Sequence, residues 1–421
     1  MAKSAALVTA ILVAGGLAAS ATFAAQPDAG GVAALMRQPA VKAALEAAKA
    51  GEPQTIADQI RFCEVPAVEF KEQARAEVLK KEFEALGLQN VHIDRAGNVL
   101  GDRPGRSARP HLFWAAHLDT VFPEGTDVHV RREGTVLHGP GIGDDCRGLA
   151  VMVAMVRAMN TAHVQTEGTI TFVADVGEEG LGDLRGMKGL FADHKGDIDR
   201  FVSMDGTGLG IVNTAVGSHR YRVTYTGPGG HSFGAFGLAN PIHALGRAIA
   251  KIADFQVPKT PKTTFNVGRI GGGTSVNSIS ASAWMEIDMR SRDQQALADV
   301  DAKFHKAVQD ALTEENARWG TPGVLKVDVK LIGDRPAGHT APDAPIVKTA
   351  LAVTQALGFQ TRLGEASTDS NVPMSLGIPA ITIGSGGAGK GAHSPLEQFD
   401  TADSWQGTQR NTLLAIALAE K

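Results

Sequence analysis

Residues 111–125 read HLFWAAHLDTVFPEG, a short apolar run that ends in a histidine and an aspartate and then breaks at a proline and a glycine. Because side chains alternate along a strand, His117 and Asp119 are expected on one face and Leu118 on the other. A carboxylate beside an imidazole fixes the tautomer of the ring and raises its basicity, as a metal-binding histidine requires. A histidine buried at the end of a core strand gives the same pattern, so this stretch alone leaves both interpretations open.

The segments around this stretch predict an α/β fold. Helical spacing runs through EFKEQARAEVLKKEFEALG at 69–87, and a second helix is predicted from about 147 to 159. Apolar strands are predicted at 110–116, 168–176 and 200–205. Strands that alternate with helices indicate a mostly parallel sheet with helices on both faces.

A smaller domain is predicted inside this α/β domain. From about residue 218 the chain reads strand, helix, strand, strand, helix, strand, which is the order of a ferredoxin-like βαββαβ sandwich. After residue 335 the alternation of helix and strand returns. The predicted organisation is a signal peptide at 1–25, the first part of the larger domain at 26–217, the inserted domain at 218–335 and the second part of the larger domain at 336–421.

The first residues predict export. Lys3 precedes an apolar stretch from residue 5 to 19, and small residues follow up to a cleavage site after Ala24 or Ala25, which is the plan of a secretory signal peptide. The apolar stretch is short for a bilayer span of about 20 residues, and a retained membrane anchor is the alternative. We expect the mature chain in the periplasm or outside the cell, with no membrane association after cleavage.

Composition and charge narrow the class of partner. The chain is 43% hydrophobic and 20% charged, as soluble enzymes are, and its formal net charge is −4. It has no basic run that would attract nucleic acid, so small molecules are the expected partners. Cys63 and Cys146 are too few for a disulfide scaffold or a thiolate metal site, and whether they form a single bridge stays open.

Carboxylates and histidines accumulate where the predicted strands end, which is where ligands bind in open α/β sheets. They are His117, Asp119, Asp144, Asp145, Glu178, Glu179, Asp205 and His393. The adjacent Glu178 and Glu179 would repel each other without a cation between them. Two histidines with several carboxylates and no cysteine suit zinc or a similar transition metal, and this set exceeds what one catalytic zinc uses. A carboxylate shared between two ions accounts for the excess.

At these positions the sequence resembles the cocatalytic di-zinc peptidases and deacylases, a family that includes aminoacylase, peptidase T, carnosinase-like dipeptidases, acetylornithine deacetylase and carboxypeptidase G. The motifs that carry the resemblance occur in the family's order and cover nearly the whole mature chain: HLDTV at 117–121, GIGDDCRG at 141–148, GEEG at 177–180, MDG at 204–206 and GAHSPLE at 391–397. The resemblance implies a zinc-exopeptidase-like catalytic domain, with the inserted sandwich as its lid or dimerisation domain.

The resemblance also implies two Zn²⁺ ions, or Co²⁺ or Mn²⁺ in their place. The implied ligands are His117 and Asp205 for one ion, Glu179 and His393 for the other, and Asp145 as the bridge between both. In the family the bridging aspartate stands two residues before a basic residue, and Arg147 has that spacing to Asp145 and not to Asp144.

Two further residues would act beside the ions. By the same resemblance, Asp119 would orient His117 from behind. Glu178 would bind no metal and would serve as the general base on the water between the ions.

Residues of the inserted domain resemble those that contact substrate in the family. His231 in GPGGHS would stabilise the developing oxyanion, often across a dimer, and Asn277 and Arg290 would grip polar groups of the substrate. A loop asparagine and an exposed strand arginine without such a role are the alternatives. A homodimer through the lid is therefore expected.

The predicted function is that of an exported di-zinc hydrolase that cleaves a peptide or amide bond in a small peptide or an N-acyl amino acid. The leader argues against the cytosolic biosynthetic deacylases. One alternative is a non-catalytic, metal-dependent binding protein of the periplasm. Another is a serine esterase, since GHSFG at 230–234 matches the G-x-S-x-G elbow with Ser232 as nucleophile, although the strand-turn-helix context is missing from the prediction.

Overall fold

The computed structural model describes residues 29–320 and 324–420, so the predicted signal peptide lies outside the described residues. The helices are α1 (Ala29–Met36), α2 (Pro39–Ala50), α3 (Glu52–Cys63), α4 (Gln73–Ala85), α5 (Cys146–Thr161), α6 (Arg185–His194), α7 (Pro241–Ala253), α8 (Gln294–Arg318), α9 (Pro345–Ala356), α10 (Asn371–Ser375) and α11 (Trp405–Leu418). The strands are β1 (Gln89–Ile93), β2 (Val99–Arg103), β3 (Leu112–His117), β4 (Arg131–Glu133), β5 (Val136–His138), β6 (Ile170–Asp175), β7 (Arg200–Met204), β8 (Ile211–Ala215), β9 (Gly217–Thr226), β10 (Gly230–His231), β11 (Thr263–Gly272), β12 (Ser278–Ile279), β13 (Ser282–Ser291), β14 (Lys326–Arg335), β15 (Gly338–His339), β16 (Leu363–Ala366), β17 (Ala380–Ile383), β18 (Ala388–Lys390) and β19 (Gln398–Asp400).

A nine-stranded sheet forms the centre of the larger domain, in the order β1-β2-β6-β3-β7-β17-β8-β15, with β16 also paired to β8. The four middle strands, β6, β3, β7 and β17, run parallel to one another. Antiparallel strands extend the sheet on both sides, through β2 and β1 at one side and β8 and β15 at the other. The predicted α/β class is confirmed, and the antiparallel edges are an addition to it.

Both faces of this sheet are covered by helices. Along β3, Trp114 and Ala116 enter one core while Phe113 and Ala115 enter the other. Helices α2, α5, α9 and α11 supply the first core, and α6 and α10 supply the second. A strand buried on both faces reads as a continuous apolar run, which explains the absence of polar residues before His117 in β3.

The inserted domain is an antiparallel sheet in the order β11-β13-β9-β14, whose buried face packs against α7 and α8. Apart from the two-residue strands β10 and β12, its elements follow the predicted order, strand, helix, strand, strand, helix, strand. Alternate residues of β9, such as Val223 and Tyr225, are buried, and α8 packs Phe304 against them. The sheet runs from Gly217 to Arg335, and the limits drawn for the domains stay a prediction.

The two sheets meet at a cavity. The middle strands β3, β6 and β7 end on one side of it, and β9, β13 and β14 each contribute an arginine from the other side. This arrangement places the ionisable residues that follow the parallel strands opposite the side chains of the inserted domain. Among the described residues, no helix is both long enough and apolar enough to span a bilayer.

Candidate metal centre

His117 is the last residue of β3 and is 1% exposed. Its Nδ1 lies 3.1 Å from the carbonyl oxygen of Asp119, an acceptor that favours the tautomer with the ring proton on Nδ1. The Nε2 lone pair then points at the carboxylate of Asp144, 3.1 Å away. Either a proton or a metal ion is needed between these two atoms, and the imidazole–carboxylate pair fits a bound metal ion.

The carboxylate of Asp144 lies between two histidines. One oxygen is 3.1 Å from His117 Nε2, and the other is 3.2 Å from His393 Nε2. His393 Nε2 is also 3.0 Å from an oxygen of Glu179. Hydrogen bonds to Asp144 and Glu179 raise the pKa of His393 to about 10, which shows how strongly the surrounding carboxylates favour a positive charge at this point.

Candidate ligand atoms converge in three groups within 4.8 Å. These groups are His117–Asp144–Asp205, His117–Glu178–Glu179 and Asp144–Glu179–His393. The first and third share only Asp144, so two cation positions with one common carboxylate fit this donor set. Imidazole and carboxylate donors without a thiolate suit zinc, cobalt or manganese.

Asp145, the predicted bridge, belongs to none of the candidate ligand groups found among the described residues. Its carboxylate instead caps helix α5, accepting a hydrogen bond of 3.0 Å from the main-chain N–H of Gly148. A β-carbon on Gly148 would lie 2.3 Å from that oxygen, so the cap requires glycine there. Arg147, which pointed to Asp145 by its spacing, is fully buried and pairs with Glu52 at 2.8 Å, away from the candidate ligands.

Asp119 contacts the His117 ring through its main chain and a neighbouring turn through its carboxylate. Its carboxylate is 3.8 Å from His117 Nδ1, beyond hydrogen-bond distance, and its main-chain oxygen is what the imidazole contacts. The two carboxylate oxygens accept the main-chain N–H groups of Glu178 at 3.1 Å and Glu179 at 2.8 Å. Asp119 therefore positions the turn that carries both glutamates.

Glu178 lines the cavity beside the two cation positions and is 4% exposed. Burial raises the pKa of its carboxyl to about 7, although Arg335 and His117 act in the opposite direction. Arg335 Nη1 donates to the Glu178 carboxylate at 3.0 Å, and its Nη2 donates to the Glu178 carbonyl oxygen. Arg335, the last residue of β14, thus holds Glu178 from the inserted domain.

Glu397 is a second residue that the sequence did not single out. Its buried carboxylate accepts the main-chain N–H groups of Gly141 at 2.9 Å, Gly143 at 2.8 Å and Asp144 at 3.1 Å. It follows His393 by four residues, so it ties the segment of one candidate ligand to the turn of another. The only sequence feature that could have indicated a role for Glu397 is its position in the motif GAHSPLE. No sequence feature indicated a role for Arg335.

The cavity measures about 450 Å³ and has an acidic and a basic side. Among its lining residues are Asp144, Glu178, Glu179, Asp205 and His393 on the first side and Arg220, Arg290 and Arg335 on the second. Arg220 and Arg290 both donate to the carboxylate of Asp288, at 2.9 and 2.8 Å. The predicted substrate contact of Arg290 is therefore compatible with its position.

Two other predicted substrate contacts lie elsewhere. His231 and Asn277 are exposed near the paired strands β10 and β12, and neither lines the cavity among the described residues. Ser232 follows β10 in a turn, and α7 begins only at Pro241, so the strand-turn-helix context of a nucleophile elbow is not formed. His231 Nδ1 accepts the main-chain N–H groups of Phe233 and Gly234 at 3.2 Å, which orients its ring at the surface.

Comparison with known proteins agrees with these features. A succinyl-diaminopimelate desuccinylase of Corynebacterium glutamicum is 25% identical over 279 residues, covering 63% of this chain and 75% of that protein. Two solved structures share the fold. A tripeptidase of Staphylococcus aureus has a TM-score of 0.73 at 21% identity, covering 87% of this chain and 98% of its own.

The second structure is the YXEP protein of Bacillus subtilis, described as a dinuclear metal binding peptidase from the M20 family. Its TM-score is 0.66 at 18% identity, covering 87% of this chain and 98% of its own. The sequence model of peptidase family M20/M25/M40 matches residues 113–416, which include every candidate ligand. The chain therefore belongs to peptidase family M20/M25/M40.

Proposed function

We propose that the chain is an exported hydrolase with two metal ions that cleaves an amide bond in small peptides or N-acyl amino acids. The observation that carries this proposal is the carboxylate of Asp144, which two groups of candidate ligands share. His117 and Asp205 would complete one metal position, and Glu179 and His393 would complete the other. Bound divalent ions would supply activation of water and polarisation of the scissile carbonyl.

Glu178 is the residue that we propose as general base. It adjoins both metal positions, and Arg335 holds one of its oxygens in place. A carboxylate with a pKa near the operating pH can accept a proton from water and return it to the leaving amine. Burial raises the pKa of Glu178 to about 7, which is suited to that exchange.

The arginine side of the cavity supports a substrate with a carboxylate. Arg220, Arg290 and Arg335 have only Asp288 and Glu178 as acidic partners near the cavity in the described part of the chain. Guanidinium groups bind carboxylates in a bidentate manner, as a peptide terminus or an acyl amino acid would permit. The relative of Corynebacterium glutamicum is named a succinyl-diaminopimelate desuccinylase, and a succinyl group carries a carboxylate, which agrees with this proposal.

Activity on a substrate panel tests the reaction class. The mature chain should hydrolyse members of a set of dipeptides, tripeptides and N-acyl amino acids, lose this activity with a chelator, and regain it with Zn²⁺, Co²⁺ or Mn²⁺. A metal-binding protein without hydrolysis of any member would contradict the proposal and favour the non-catalytic alternative. Amino-terminal sequencing of the exported protein tests the leader, since an intact Met1 would oppose cleavage.

Glu178→Gln separates catalysis from binding. The amide has nearly the same size and can still accept from Arg335, so the fold and both metal positions should be retained. Because a general base contributes about 10²–10⁴-fold, kcat should fall by that factor with KM little changed. The matched control is Glu179→Gln, which should lose metal as well as activity. Loss of metal from the Glu178 variant would reverse the two assignments.

We also propose a homodimer formed through the inserted domain. His231 and Asn277 lie outside the cavity of their own chain, and the same surface exposes Phe233 at 89% and Val276 at 102%. In a dimer His231 would approach the partner's cavity, as the resemblance implied.

A further inference from the structure

The fold brings the chain's two cysteines together. Cys63 is the last residue of α3 and Cys146 is the first residue of α5, and both are fully buried. Both are free thiols. They share a small apolar cluster with neighbours such as Leu137 and Phe399. Two residues this distant in sequence meet only because α3 and α5 pack side by side.

Neither cysteine has another chemical task in the described residues. Neither thiol belongs to the groups of candidate metal ligands found there. Cys63 Sγ also donates a weak hydrogen bond to the carbonyl oxygen of Pro140 at 3.4 Å. Because the native packing of α3 against α5 brings both cysteines into one cluster, a bond between them is compatible with the native positions of the two helices.

We propose that Cys63 and Cys146 form an intramolecular disulfide when the chain folds under oxidising conditions, and that this bond staples the end of α3 to the start of α5. The oxidant is a low-molecular-weight disulfide such as oxidised glutathione. The thiolate of one cysteine attacks it and releases one thiol, and the second cysteine then attacks the mixed disulfide and releases the other. Both cysteine sulfurs are oxidised, and the small disulfide is reduced to two thiols.

Burial of the two thiols determines the stage of folding at which this thiol–disulfide exchange occurs. In the folded chain both thiols are inaccessible to glutathione, so the reaction precedes closure of the apolar cluster. Once formed, the bond is protected from reductants by the same burial. The proposal goes beyond the hydrolase function and does not rest on it.

The staple adjoins the segments that carry candidate ligands. Cys146 directly follows Asp145, whose neighbour Asp144 is the shared carboxylate. On the other side, Arg75 donates to the carbonyl oxygens of Cys63 at 3.2 Å and Leu118 at 2.7 Å, which links α3 to the residue after His117. A bond between the cysteines therefore restrains both segments relative to each other.

Thiol counting tests the bond itself. The full chain is unfolded and refolded with a chelator in a glutathione buffer rich in the oxidised form, and its free thiols are then counted with Ellman's reagent in denaturant. We expect no free thiol, an intact mass lower by two hydrogen atoms, and recovery of both thiols with reductant. Two free thiols, or a disulfide found only between chains on a non-reducing gel, would overturn the proposal.

Cys63→Ser is the matched control. It should retain one thiol or carry one glutathione, because its partner is lost. Denaturant unfolding gives a second readout, since a disulfide restricts the unfolded chain. The midpoint of oxidised wild type should exceed that of reduced wild type, while redox conditions should leave the variant's midpoint unchanged. Equal midpoints for the two wild-type forms would overturn the stapling role, and neither readout depends on hydrolysis.

Discussion

Asp144 and Asp145 are adjacent carboxylates with different partners, and single substitutions should separate their roles. Asp144→Ala should lose both metal ions because that carboxylate is shared by two ligand groups. Asp145→Ala should keep both ions and lose about 1 kcal/mol of stability, the usual cost of a helix cap. Metal analysis and denaturant unfolding of both variants check this. Retention of two ions by the Asp144 variant would restore the assignment to Asp145.

The sequence could identify this pair but not its ligating member. Motif and spacing placed two carboxylates at the turn, yet neighbouring side chains at the start of a helix point in different directions. Which one faces His117 depends on the path of the backbone, to which Gly148 contributes by leaving room for the Asp145 cap. For the same reason the sequence predicted a residue behind His117 but not that its carbonyl, rather than its carboxylate, makes the contact.

Glu397 gives a second prediction about a single residue. In Glu397→Gln one oxygen can still accept from Gly143 and Asp144, but the new amide nitrogen faces the N–H of Gly141. Two donors would then oppose each other in a buried place, and the turn that carries Asp144 should shift. Mutation of residues that position metal ligands typically lowers metal affinity by about 10–100-fold. We therefore expect zinc affinity to fall by that factor, as measured by competition with a chelating dye.

A buried acid in the inserted domain supplies the control for Glu397. Glu315 accepts from Arg247 at 3.0 Å and from Trp319 at 3.0 Å. Glu315→Gln should lower the unfolding midpoint without changing zinc affinity. If both variants lost stability and neither lost affinity, Glu397 would have a structural role only.

Helix α8 is held on its sheet by a cluster of ionisable groups. His219 of β9 contacts Asp301 of α8 at 2.9 Å and Asp334 of β14 at 3.6 Å. His305 also lies 3.5 Å from Asp301. The hydrogen bond to Asp301 raises the pKa of His219 above 6.5, with burial acting in the opposite direction.

The raised pKa of His219 predicts a pH-dependent stability. Protonated His219 stabilises the folded state fully below pH 6.5, and this contribution is lost as the pH rises through the higher folded-state pKa. Unfolding midpoints of wild type and His219→Gln should therefore differ most below pH 6.5 and converge as the pH rises through the folded-state pKa. A difference that stays constant or grows with pH would contradict the contribution of the charged imidazole.

Helices and strands with a clear hydrophobic pattern could be predicted from the sequence, whereas strands of two residues could not. The helix expected at 69–87 appears as α4, and the apolar run at 168–176 contains β6. Strands β10 and β12 have two residues each, too few for any alternation to show. Their pairing depends on the chain returning from β11, which brings His231 beside Ser278. Such contacts arise from the fold and have no local signal.

For the whole molecule, the order of elements predicted the architecture, because strands alternating with helices allow few arrangements. The edges of the large sheet were not predictable, since β15, antiparallel to β8, and β16, parallel to it, join β8 from sequence positions far along the chain. Arg335 reaches Glu178 across the two sheets for a similar reason. The basic side of the cavity therefore depends on how the two domains pack together. The acidic side could be predicted from the sequence, because its residues come directly after individual strands.

The proposed homodimer predicts complementation between two inactive variants. If His231 acts in the partner's cavity, a mixed dimer of His231→Ala and Glu178→Gln contains one site with both residues intact and one with neither. After the variants are unfolded and refolded together at equal amounts, half of the dimers should be mixed, and activity should recover to about a quarter of wild type. If His231 served its own cavity, each site would keep one defect and mixing would restore nothing. Phe233→Asp is the control for assembly, because a charge on this 89% exposed ring should shift sedimentation toward monomer and abolish the recovery.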